Sequence, residues 1–137
     1  MVNKLKWCFS KKEVKLIEPN ENLAREYIKS AEETLVVIFA CYALLMRLGI
    51  KSEIHDCTIE ILKFLEKENI IDKRTAKILE KDKELRIDNQ YYLKNREVVV
   101  EYEKLRDLIL KIKEIINTIT NKQIEEIRMK IERFVKF

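Results

Sequence analysis

One glycine (Gly49), one proline (Pro19) and one histidine (His55) are all that the 137 residues contain of those types. A sheet-rich fold of this size needs many tight turns, and tight turns draw on Gly, Pro, Asn and Asp. The shortage therefore points to a few long helices. A single glycine cannot build a glycine-rich phosphate loop. A single histidine excludes a multi-histidine metal site. A Ser-His-Asp arrangement would have to recruit His55, and no nucleophile-elbow spacing accompanies it. No cofactor is expected.

The three cysteines, Cys8, Cys41 and Cys57, are an odd number without metal-ligand spacing. Cys41 lies in an apolar run and reads as core. A disulfide framework is not expected, which favours a reducing, cytoplasmic location. The N-terminus has lysines but no apolar signal core. The longest apolar run, Leu35 to Met46, has 12 residues, short of the roughly 20 that cross a bilayer. No membrane association is expected.

Apolar residues make up 47% of the chain and charged residues 38%, a balance that suits amphipathic helices in one domain with a real core. The net charge of +4 comes from 28 basic and 24 acidic side chains. Both signs are interspersed, which reads as a solvated helix surface that permits, without requiring, attraction to phosphate.

Residues 1–20 are expected to be irregular, with Val14, Leu16 and Ile17 extended. Asn20 or Asn22 then caps a helix predicted over residues 21–48, with Leu23, Tyr27, Ala31 and Ile38 at helical spacing. Beyond Leu35 this helix is apolar on almost every side, so it must be buried all round by the rest of the chain or by a second subunit. Gly49 ends it. A second helix starts near Ser52 as cap and runs to about Asn69. A short one follows from Asp72 to about Asp82. Residues 84–95 read as a loop or a frayed helix end. Val98, Tyr102, Leu105, Ile109, Ile112, Ile116 and Ile119 form a heptad-like seam on a helix over residues 96–118. A last helix, capped by Asn121, carries Ile124, Ile127, Ile131 and Phe134.

Two places hold chemistry. His55, in the first turn of a helix, is a packing or capping residue on one reading and a site residue on the other. Asp56 beside it points about 100° away and is poorly placed to orient the imidazole. Arg86 with Asp88, Asn89, Tyr91 and Tyr92 is the more suggestive group. A guanidinium is a rigid donor fork for phosphate, and a tyrosine ring can stack on a base. The plainer reading is a surface ion pair with tyrosines packed between helices.

The stretch from Ala40 to Phe64 has a Tyr-Ala helix, then Gly49, a short basic linker, and His55 opening the next helix. It resembles the HEPN family of small helical-bundle proteins. Leu16 to Asn20, followed by Leu23, Tyr27 and Ala31, also looks like that family's leading segment. The likeness covers about residues 15–118 and implies an all-α, four- to five-helix up-down bundle over residues 21–137 that forms a homodimer. By resemblance the partners are a minimal nucleotidyltransferase in a toxin–antitoxin-like pair, and RNA or nucleotide held by Arg86, Asp88, Asn89, Tyr91 and Tyr92. Tyr91 or Tyr92 would also be a modification acceptor.

Many members of the family are metal-independent ribonucleases whose motif is an arginine followed, four to six residues on, by a histidine. Here Arg86 is followed by Tyr91 and Tyr92. Tyrosine, with an ordinary pKa near 10, is a poor base at neutral pH. Binding is therefore expected over cleavage. An endoribonuclease using Arg86 with Tyr92 or His55 is the alternative, and a purely structural interaction protein the third reading. A second departure is the missing turn between Ala31 and Leu48: either two family helices merge into one rod, or part of the hairpin is absent.

Overall fold

A computed structural model describes residues 4–34, 36–52, 54–80 and 96–136, with the backbone alone for residues 96–102 and 136. In chain order the elements are α1 (Lys4–Ser10), β1 (Val14–Leu16), α2 (Glu21–Thr34), α3 (Val37–Leu48), β2 (Ile50–Ser52) and α4 (His55–Lys67). They continue with a helical stretch over residues 75–80, here α5, then α6 (Arg96–Thr118) and α7 (Asn121–Lys136). The fold is mostly helical, with one two-stranded sheet.

Residues 4–16 are not irregular, since they hold α1 and β1. Leu5 and Cys8, three apart on α1, are buried, and α1 packs on α4, α7 and β1. The extended piece at Val14 does form, and it pairs antiparallel with β2 in the register Val14 to Ser52, Lys15 to Lys51 and Leu16 to Ile50. Ser52 is thus a strand residue and not the cap of α4, whose N-cap is Ile54 without a side-chain cap bond.

The single rod over residues 21–48 is also corrected. It is two helices, α2 and α3, packed on each other. No Gly or Pro marks the break. Val36 is extended at φ −92° and ψ 103°, within a run of β-branched residues that are weak helix formers. The Thr34 hydroxyl donates back to Ser30 O at 2.7 Å, a local alternative to helix continuation. Neither a merged rod nor a missing hairpin is needed. The apolar helix α3 finds its cover within the chain, against α2, α6, β2 and α7. Ala40, Ala43, Leu44, Leu45 and Leu48 are fully buried.

Caps explain several boundaries. Asn20 Oδ1 accepts the Leu23 N–H at 2.9 Å and starts α2. Gly49, at φ 76°, closes α3 in the left-handed conformation. For α7 the cap is Thr120 rather than Asn121. Its hydroxyl accepts the Gln123 N–H at 3.2 Å while Gln123 Oε1 accepts the Thr120 N–H at 2.9 Å, a reciprocal capping box. The heptad seam holds where side chains are described, with Leu105, Ile109, Ile112, Ile116 and Ile119 all buried.

Cys8 and Cys57 form a disulfide, with Cα atoms 5.8 Å apart, and Cys41 is buried and lies outside it. This overturns the reading of the cysteines as unpaired. Two of the three meet because α1 lies on the first turns of α4, a proximity that a separation of 49 residues hides. The argument from cysteine to a reducing compartment goes with it. No helix among the described residues is long and apolar enough to cross a membrane.

Candidate functional site

His55 is the first residue of α4 and is half-buried. Its Nε2 is buried and has no hydrogen-bond partner among the described residues. Asp56 does not serve it: the carboxylate stands exposed, 4.0 Å from Lys4 Nζ. One residue further on, Cys57 ties this turn to α1.

A small group of hydroxyls gathers beside the same turn. Ser52 Oγ and Thr58 Oγ1 are 2.6 Å apart. The Thr58 hydroxyl also donates to Ile54 O at 3.1 Å, and Thr58 is fully buried. Tyr42 of α3 borders this group and stacks at 5.8 Å on Tyr27 of α2. Burial raises the Tyr42 pKa, the neighbouring Tyr27 and Cys41 add to the rise, and the Thr58 hydroxyl opposes it. A phenol shifted upward is ionised even less at neutral pH. The group binds β2 to the start of α4.

Hollows also open elsewhere. A cleft of about 300 Å³ lies between the end of α4, the end of α6 and the first turns of α7. Its apolar lining is Ile70, Ile115, Ile119 and Ile127, and Asn69, Gln123, Glu126 and Lys130 add polar groups. This is the low end of the size that takes a small ligand. Lys130 Nζ is already 3.4 Å from Glu68. A smaller hollow of about 60 Å³ is bordered by Asp72, Arg74, Lys104, Asp107 and Lys111. There the Arg74 guanidinium forks onto both oxygens of Asp72 at 3.2 Å, and the Arg74 N–H donates at 2.8 Å. These bonds, with the charges of Arg74 and Lys111, hold the Asp72 carboxyl down to about 2. Asp72 is the start signal of the short helix α5, as its sequence position implies.

A third polar node lies at the end of α3. Arg128 Nη1 donates to Ile17 O at 2.8 Å, Leu48 O at 2.9 Å and Gly49 O at 2.8 Å. It places a cation on the carbonyl end of α3, where the helix dipole favours one. It is structural in character.

Among the described residues, His55 Nε2 has no hydrogen-bond partner and Asp56 is turned toward Lys4. Arg86, Asp88, Asn89, Tyr91 and Tyr92 lie outside the described residues, in the connection between α5 and α6. Among the described residues no group of three or more His, Cys, Asp or Glu is placed to hold a metal ion. No family model matches the chain, and no curated protein or solved structure matches it.

Proposed function

We propose that this chain is a HEPN-like helical bundle that acts as a dimeric binding module, without catalysis, for RNA, nucleotide or a minimal nucleotidyltransferase partner. In this reading Arg86 holds phosphate, and Tyr91 and Tyr92 stack on a base or meet the partner. The reading rests on the resemblance at Gly49 to Phe64. One observation favours binding over cleavage: the only imidazole in the sequence has its Nε2 buried and unpartnered in the first turn of α4. A general base must reach the proton it removes; the buried Nε2 does not, so cleavage through His55 would have to use its other ring nitrogen.

Calorimetric titration with a mononucleotide tests the site. Arg86→Ala is expected to weaken binding about tenfold or more, the loss of one charge-assisted contact. Equal affinity in the variant removes Arg86 from the reading. Sedimentation at micromolar concentration tests the pairing: a dimer is expected, and a strictly monomeric species contradicts the dimeric module.

A further inference from the structure

The net charge of the chain is confined to its start. Residues 4–16 hold five of the 28 basic side chains and one of the 24 acidic ones, which leaves 23 of each sign in the rest of the chain. Thus the whole +4 sits on α1, β1 and the turn between them. These elements contact each other.

Their placement is specific. The apolar side of α1, Leu5 and Cys8, is spent on the body of the protein, and the Cys8–Cys57 disulfide fastens it there. Trp7 is left 45% exposed. Lys4, Trp7 and Lys11 follow at spacings of three and four, which share one helix face, and the Lys11 N–H still donates to Trp7 O at 3.0 Å. Lys12, at φ 61°, reverses the chain into β1. Along the sheet Val14 and Ile50 are buried, while Lys15 and Lys51 are exposed and stand directly opposite each other in the register. Opposite residues of an antiparallel pair have Cβ atoms about 5 Å apart, so one phosphate can lie across both lysines. Asp56, 4.0 Å from Lys4, and Glu13 in the turn border the patch.

We propose that the solvent side of α1 and the β1–β2 ladder binds a single-stranded polynucleotide, with Trp7 stacked on a base and the surrounding lysines on its phosphates. Cations around an exposed ring form the combination that binds unpaired strands without sequence preference. A bilayer is the poorer fit, because an interfacial helix needs an apolar face to insert and that of α1 is already buried. The surface is separate from Arg86 and does not depend on the reading given to that residue.

The test is a titration of the full chain with labelled oligouridylate and oligothymidylate, read by anisotropy and by the emission of Trp7, the single tryptophan. Binding is expected to quench Trp7 and to weaken with salt. Lys15→Glu is expected to weaken it about fivefold or more and to lower the salt slope. Lys15 is an exposed position on β1, so the melting temperature is expected to stay within a few degrees. Trp7→Ala loses affinity and Trp7→Phe restores part of it. Arg86→Ala leaves the Trp7 quench intact, which separates this surface from the other reading. Tighter binding of one oligonucleotide names RNA or DNA as the source. The proposal is overturned by unquenched Trp7, by unchanged affinity in Lys15→Glu, or by stronger Trp7 changes with phosphatidylserine vesicles than with either oligonucleotide.

Discussion

Arg128 gathers three backbone carbonyls that belong to two distant parts of the chain, Ile17 on one side and Leu48 and Gly49 on the other. The same corner is knitted by Ile17 N–H to Gly49 O at 2.7 Å and Asn20 N–H to Met46 O at 2.8 Å. A Cβ at Gly49 would meet Arg128 Nη1, Ile17 O and Pro19 N. Gly49→Ala is therefore expected to cost about 2–3 kcal/mol, from left-handed strain and this crowding, measured as a lower urea midpoint. Arg128→Met keeps the aliphatic stem but removes the donor from Ile17 O and Leu48 O, while Gly49 O keeps the Ile17 N–H, at about 1–3 kcal/mol. A midpoint unchanged in both variants would remove this corner from the account. Gly49 was legible as a helix stop because it is the lone glycine after an apolar run. Arg128 was not, because its partners lie 79 to 111 residues away and nothing local marks it among the other basic residues of α7.

Helix α1 depends on its attachment to α4. Its seven residues are too few to stand as an isolated helix, and Leu5 and Cys8 are the buried ones. Closing a loop of 49 residues by a disulfide stabilises typically by about 2–4 kcal/mol. Cys8→Ser is expected to lower the thermal midpoint accordingly, and alkylation of the unreduced, denatured chain should label Cys41 alone. Labelling of all three cysteines would contradict the pairing. Helix α5 offers a pH test. The unfolded Asp72 titrates near 3.8 and the folded one at about 2. Its ionised form thus stabilises the fold above pH about 4, and this contribution is lost as pH falls through about 2. Asp72→Asn keeps a capping side chain and removes the charge, so it should flatten that acid limb of the stability curve. Among elements, α6 was readable to the residue because its seam repeats without interruption. The break between α2 and α3 was not, because β-branched residues bend a chain without the punctuation that Gly or Pro supplies.

At the scale of the whole molecule, the helical class follows from the scarcity of breakers and from a seam that needs a partner helix. What the sequence hid was which helices meet: α3 looked uncovered, yet α2, α6 and α7 all reach it. The candidate sites divide in a similar way. His55 was correctly placed in a first helical turn, and only packing shows its Nε2 turned inward. The lysine cluster was present in the sequence as a local charge excess, masked by a modest total. Arg86 and the tyrosines rest on the resemblance, and their chemistry is decided in solution. The most direct measurement follows one labelled single-stranded RNA in EDTA by anisotropy and by denaturing gel in the same tube. The account predicts a complex with intact RNA. Chelator-resistant cleavage that disappears in Arg86→Ala would contradict it.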